Sequence, residues 1–207
     1  GVPGENAGVV VVFRLEAGDW IAEATIEASG VEPGSAFGSS LALNADADIA
    51  AIGAPGDETS VGRTGSVRVF RRVGIEWAEE AMLVPADDQL GGRFGASVAL
   101  DRFGMRALIG VPEDRLVFDP YGEVPTGSAR VFLRGSDGWT EEATLGPTTP
   151  VGWDQIGVPA ALDATGDRAF VASAGGLRVY RRDGTSWTEE AMLRGTPDWY
   201  GMSTNAA

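Results

Sequence analysis

Three kinds of residue in this chain could do chemistry by type and spacing: oxygen ligands at alternate positions, paired glutamates, and aromatics set in loops. Asn44-Ala45-Asp46-Ala47-Asp48 spaces three oxygen-bearing side chains two apart, the array a hard cation such as calcium wants. Asn44, Asp46 and Asp48 are therefore the candidate metal ligands. Two related stretches, Asp101-Arg102-Phe103-Gly104-Met105 and Asp163-Ala164-Thr165-Gly166-Asp167, fit tight β-turns in which Asp or Asn bonds nearby backbone, and the first stretch admits the same reading.

The pairs Glu79-Glu80, Glu141-Glu142 and Glu189-Glu190 resemble an acid/base couple. Neighbours on a strand point to opposite faces, so the two carboxyls of a pair cannot flank one bond. The expectation is that Glu80, Glu142 and Glu190 face Arg68, Arg130 and Arg178 across a hairpin, each pair worth roughly 0.2–1 kcal/mol. Val11 stands where the first such Arg should be, although Glu23 is kept. The chain has no cysteine, histidine or lysine, and all sixteen basic residues are Arg. Ser39, Ser40, Ser97 and Ser128 thus have no base to activate them. On these grounds the chain is expected not to be an enzyme.

Binding chemistry is concentrated in loops. The longest are 56–64 and 113–126, with Asp57, Glu58, Arg115, Phe118 and Tyr121 as candidate ligand contacts. Insertions on one face of a repeat protein are the usual binding surface. Trp153 and Trp199 lie in connections and are candidates for stacking on a ligand. Trp20, Trp77, Trp139 and Trp187 hold a fixed place in a repeating order, which points to packing. The net charge of −14 and pI near 4.3 argue against nucleic acid and against anionic membranes as partners.

Four short apolar runs recur in one order and must position these residues. They are quoted best from the stretch 94–142: Phe94-Gly95-Ala96-Ser97-Val98-Ala99-Leu100, Ala107-Leu108-Ile109-Gly110-Val111-Pro112, Gly127-Ser128-Ala129-Arg130-Val131-Phe132, and a last run from Trp139. Called a to d, they begin their cycle at Phe37, Phe94, Ile156 and Tyr200, at intervals of 57, 62 and 44 residues. The expected division is a partial unit at 8–36 (runs c and d), units at 37–93 and 94–155, a degenerate unit at 156–199, and a bare run a at 200–207. Thirty Gly and eleven Pro suit many short strands and turns. Each unit reads as a four-stranded antiparallel meander, which needs copies of itself to bury its faces. Radial stacking of such sheets is a β-propeller.

Phe37-Gly38 followed by Gly53-Ala54-Pro55, and Phe94-Gly95 followed by Gly110-Val111-Pro112, resemble the FG-GAP repeat of integrin α-subunits and of many secreted or surface-anchored bacterial proteins. The run Trp-Thr-Glu-Glu-Ala-x-Leu resembles the bacterial branch. The resemblance implies an all-β, seven-bladed propeller of which about three and a half repeats are present. The chain is then part of a larger propeller, or two copies complete each other. The family's calcium loop is longer than the one at Asn44, has a Gly after the third ligand and closes on a further Asp, where this chain has Ile49. The resemblance further implies an extracellular or cell-surface module that binds a protein or glycan ligand in adhesion. The alternatives are an architectural subunit that self-associates and an accessory domain of a larger enzyme. No cofactor is expected beyond the calcium option. Physically, Phe should fill the wedge between sheets, and Gly53 and Gly110 should relax the chain out of run b before Pro ends the ladder.

Overall fold

The computed structural model describes residues 7–60, 62–87, 91–114, 117–119, 122–147 and 156–194, with the backbone alone at 117–119 and 122–124. All its regular structure is strand, and no helix in it is long and apolar enough to cross a membrane. Strands β1 (Val10–Glu16) and β2 (Asp19–Ile26) form a two-stranded ribbon. Strands β3 (Ser40–Leu43), β4 (Ile49–Ala54), β7 (Ser66–Val73) and β8 (Glu76–Leu83) make the first four-stranded sheet in that spatial order. Strands β9 (Ser97–Leu100), β10 (Arg106–Val111), β13 (Ser128–Gly135) and β14 (Gly138–Leu145) make the second. Strands β15 (Ala160–Leu162), β16 (Arg168–Ser173), β17 (Gly176–Asp183) and β18 (Ser186–Leu193) make the third. Every strand pairing within these sheets is antiparallel. These are the four runs of each unit, and the ribbon is runs c and d of the partial one. The bare run a at 200–207 lies outside the described residues.

Run a starts later than the apolar pattern suggests. Phe37 and Gly38 form a turn, and Gly38 takes a φ of 87° that a side chain would resist, so the ladder begins at Ser40. The long b–c loops also contain strand that the apolar pattern does not show. Each carries its own small hairpin, β5 (Glu58–Thr59) with β6 (Gly62–Arg63), and β11 (Val117–Asp119) with β12 (Gly122–Val124).

The sheets stack through three apolar interfaces. Between the ribbon and the first sheet lie Ile26, Phe37, Ala50, Ile52, Ala54 and Phe70, with Trp77 against them. Between the first and second sheets, Ile49, Val67 and Leu83 meet Phe94, Ile109 and Phe132, with Trp139 alongside. Between the second and third, Leu108, Val131 and Leu145 meet Ile156, Val171 and Tyr180, with Trp187 alongside. The tryptophans at the start of run d are thus interface residues, and Phe37 and Phe94 fill the wedge as expected. Each Phe also meets the Phe of its own run c edge to face, at 6.2 Å for Phe37–Phe70 and 5.8 Å for Phe94–Phe132. Such pairs add roughly 0.5–1.5 kcal/mol beyond area burial. Among the described residues no sheet packs on Trp20, which is 70% exposed.

One irregularity recurs in every c–d hairpin. Val69 faces Ala81, but Phe70 faces Glu79, so Glu80 is an extra residue. The same bulge falls after Val12, Val131 and Val179. It exchanges the faces of the glutamate pair. Arg68 therefore bonds Glu79 at 2.9 Å, Arg130 bonds Glu141 at 3.0 Å, and Arg178 bonds Glu189 at 3.0 Å. The expected partners Glu80, Glu142 and Glu190 are corrected: they turn to Arg71, Arg106 and Arg168 of their own sheets. In the ribbon, Glu23 is the bulge residue and Ala22 holds the Glu79 position, so Arg and partner are lost together there.

Candidate functional site

The two motifs of the repeat meet across each sheet boundary, and that meeting builds the floor of the candidate site. A Cβ on Gly53 would lie 2.1 Å from the carbonyl oxygen of Gly95, and one on Gly110 would lie 1.9 Å from that of Gly157. The glycine that closes run b in one unit thus touches the glycine that opens run a in the next. Ser40 Oγ donates to the Gly95 carbonyl at 2.8 Å, and Ser97 Oγ to the Gly157 carbonyl at 2.6 Å. The expectation for Gly53 and Gly110 is corrected accordingly: both stay inside their strands, and close approach is what excludes a side chain there.

At this end of the sheets, two adjoining clefts of about 330 and 380 Å³ share Pro55, Arg93 and Glu113. Arg63 of β6 lines the larger one, so the b–c loops of two successive units converge on it. Arg93 immediately precedes the Phe-Gly turn and is held at a φ of 60°, as Ala36 is at 57° in the unit before. Its guanidinium donates to the exposed Glu113 carboxylate at 3.3 Å, an arrangement water screens well. Arg63 makes no ion pair among the described residues. A cleft with one paired and one unpaired guanidinium beside prolines can hold a polar or anionic ligand. Arg63 and Glu113 fall in the two long loops singled out from the sequence, whereas Arg93 was missed because it lies outside them and its place before Phe-Gly is filled by Ala36 in the unit before.

Asp57 is not a surface contact. It is 1% exposed, takes a 2.6 Å hydrogen bond from Ser66 Oγ, and pairs with Arg68 at 3.2 Å. The candidate ligand role of Asp57 is corrected to that of a buried anion clamping the loop to run c. The second unit repeats the arrangement with Asp114, Ser128 and Arg130. Arg130 also bonds Asp87 at 2.9 Å. Burial alone would lower the guanidinium pKa, but Asp87, Asp114 and Glu141 together raise it well above its ordinary value. The available sequence signal was Asp57 and Asp114 each lying two residues after the Pro of the motif. Glu58 does stay at the surface, its backbone paired with that of Arg63 in the small hairpin.

Asn44, Asp46 and Asp48 follow the turn pattern. The Asn44 side-chain oxygen accepts from the Asp48 and Ile49 amides, both at 3.0 Å, and its NH₂ donates to Asp48 at 2.7 Å. The oxygen is engaged by the turn rather than aimed with Asp46 and Asp48 at a common point. Asp101 and Asp163 do the same, accepting from Met105 N at 2.8 Å and Asp167 N at 2.9 Å. Burial pushes the Asp163 carboxyl up, but amide bonds from Arg168, Asp167 and Gly166 and the Thr165 hydroxyl hold it below the usual range. Among the described residues, no group of three His, Cys, Asp or Glu is placed to hold a metal ion. Arg115, Tyr121, Trp153, Trp199 and the side chain of Phe118 lie outside the described residues; the Phe118 backbone pairs with Glu123 in β11–β12.

The far rim of each boundary is polar. Arg134 bonds Glu80 of the preceding sheet at 2.5 Å, and Trp139 Nε1 donates to the same carboxylate at 3.1 Å. Trp187 Nε1 reaches Glu142 at 3.3 Å, and Arg72 reaches Glu23. Burial would raise the Glu80 pKa, but the bonds from Arg71, Arg134 and Trp139 outweigh it and leave the carboxyl below its ordinary value.

Residues 20–70 match the family model described as the FG-GAP repeat. A comparison with curated proteins gives no match. Among solved structures, the chain is similar to a proposed 6-phosphogluconolactonase from Bacteroides uniformis, with TM-score 0.57 and 17% identity over 89% of this chain and 48% of that one. A Lactobacillus plantarum protein gives TM-score 0.55 and 17% identity over 90% and 48%. A proposed 6-phosphogluconolactonase from Bacteroides fragilis gives TM-score 0.52 and 16% identity over 80% and 40%. The chain spans about half the length of these neighbours or less. At such identities the likeness shows the fold alone, an all-β, propeller-like one. It also corrects the expectation that the chain is not an enzyme. Two proteins of this fold bear the name 6-phosphogluconolactonase, so the fold is not confined to non-catalytic proteins.

Proposed function

We propose that this chain, which carries the FG-GAP repeat at residues 20–70, is a surface-displayed or secreted binding module. Its ligand, a protein or glycan, would sit in the cleft between successive b–c loops. The supporting observation is the convergence of Arg63, Arg93 and Glu113 from two units onto one concave surface. The scaffold beneath that surface is fixed by backbone contact, which is how a repeat holds variable loops in register. The finer architecture we read is half of a seven-bladed ring. Screening the protein against arrayed glycans and extracellular-matrix proteins tests the function. The Arg63→Ala/Arg93→Ala variant should lose whatever the native protein binds, while binding left intact would place the site elsewhere.

The two cleft arginines favour a second reading. They could take the anionic group of a phosphorylated sugar lactone, the substrate class in the names of two structural neighbours. Hydrolysis of 6-phosphogluconolactone above the spontaneous rate, lost in the same double variant, would decide for it.

A further inference from the structure

The charged wall of the cleft at Arg63 and Arg93 is built on a backbone frame that the chain uses twice. Gly56 N donates to Ser35 O at 2.9 Å in one unit, and Glu113 N donates to Gly92 O at 3.1 Å in the next. Ala36 and Arg93, which follow those two acceptors, share a left-handed φ of 57° and 60°. Arg93 and Glu113 thus take the places of Ala36 and Gly56. The first frame stays bare, because a Cβ on Gly56 would lie 2.2 Å from the Gly34 carbonyl oxygen. The second frame presents two opposite charges. Arg63 is pinned beside them: its carbonyl accepts from Gly91 N at 2.8 Å, and the Thr64 carbonyl accepts from Phe94 N at 2.9 Å. The bare frame and the charged one line the larger cleft together. Two guanidiniums and one carboxylate leave that lining with a single positive charge, in a chain whose net charge is −14. Glu58, paired with Arg63 through the backbone, does not line the cleft.

We propose that the group this cleft recognises is a single carboxylate, the side chain of an acidic residue in a short extended segment of a partner protein. The proposal rests on the reading of the cleft as the binding surface. One carboxylate neutralises the one charge left over. Among the described residues Arg93 makes one side-chain bond, to Glu113, and Arg63 makes no ion pair, so N–H donors of both guanidiniums stay open to the two oxygens of a carboxylate. A dianion such as phosphate meets repulsion from Glu113, which lines both clefts, and a polyanion meets the field of the whole acidic chain. A sugar is disfavoured, because the described lining offers no aromatic face and one hydroxyl, that of Ser39. Pro55, Ala96, Pro112 and Val158 instead suit small aliphatic side chains beside the acid. Glu113 is then the specificity residue: it holds Arg93 in place and repels a second negative charge on the ligand.

The probes are acetyl-Ala-Glu-Ala-amide, its glutamine and phosphoserine counterparts, and glucuronate. Each is titrated into the full chain while the Nε–Hε signals of Arg63 and Arg93 are followed by NMR. The glutamate peptide should shift both signals saturably, and the glutamine peptide neither. The phosphopeptide and glucuronate should bind the native protein more weakly than the glutamate peptide. Glu113→Gln changes an exposed side chain, so the variant folds. It should strengthen the phosphopeptide about fivefold more than the glutamate peptide, the factor that one extra unit charge about 4 Å away carries in water. No shift with the glutamate peptide up to its solubility limit would overturn the proposal, as would equal binding of the glutamine peptide. Tighter binding of the phosphopeptide or of glucuronate to the native protein would overturn it too, and so would an equal gain for both peptides in Glu113→Gln. The broader reading fails separately, when binding on the arrays survives the Arg63→Ala/Arg93→Ala double variant.

Discussion

Replacing Gly110 by Ala tests whether backbone contact sets the distance between sheets. The new methyl would lie 1.9 Å from the Gly157 carbonyl oxygen and 2.4 Å from Ser97 Oγ. Neither atom can yield cheaply, because one is backbone and the other is tied to it by a 2.6 Å hydrogen bond. Ordinary carbon–oxygen contact needs roughly 3.3 Å, so the second and third sheets must part locally by more than 1 Å. Overpacking of this kind costs about 1–3 kcal/mol, and loss of the Ser97 bond about 1 more. The expected destabilisation is therefore about 2–4 kcal/mol, read as a lower urea midpoint by far-UV circular dichroism. Gly135→Ala is the control, since the nearest atom to its methyl is 3.7 Å away, and it should stay within about 0.5 kcal/mol of the native protein. Equal midpoints for the two variants would refute the claim that the motif glycines exist for close approach.

Arg130→Ala should cost about 3–5 kcal/mol in the same assay, because Asp114 is left as a buried, uncompensated charge. Arg130→Met combined with Asp114→Leu should recover much of that loss. Glu80 has a depressed pKa, so the stability it contributes is fully present above the pKa of the unfolded chain and is lost as pH falls through its folded value. Glu80→Gln should thus lower the melting temperature near neutrality, with the gap to native closing in acid. Trp139→Ala should destabilise by about 2 kcal/mol through lost packing and the bond to Glu80, whereas Trp20→Ala, at an exposed side chain, should change stability by less than about 0.5. Calcium and a chelator should leave the melting temperature unchanged, since the Asn44 oxygen is engaged by its own turn.

The strand order was legible because each run carries its own marker: Phe-Gly for a, a small apolar run before Pro for b, Gly-Ser-x-Arg for c and Trp for d. Those markers report local pairing and face. The bulge at Glu80 was hidden because one extra residue in a strand has no signature in a sequence of polar, exposed positions. Its effect is large, since it hands Arg68 to Glu79 and frees Glu80 for the next sheet. Asp57 was misplaced for a different reason: an acid in a loop reads as solvated unless its partner is known, and Arg68 lies eleven residues away across a hairpin. Gly53 and Gly110 were found but misassigned, because the carbonyl that excludes their side chains belongs to another unit. The cleft at Arg63 and Arg93 depends on two loops meeting, which no periodicity records.

The glycine contacts have a geometric consequence. At the inner rim, successive sheets are separated by little more than the thickness of two backbones, while at the outer rim a tryptophan, a glutamate and an arginine stand between them. A thin spacer on one side and a thick one on the other make each unit a wedge, and the wedge angle decides how many units complete a turn. Ala172 occupies the Gly53 and Gly110 place in the third sheet, so the taper need not be uniform along the chain. Curvature is thus written in the smallest residues of the strands and ligand choice in the loops, and each can evolve without disturbing the other.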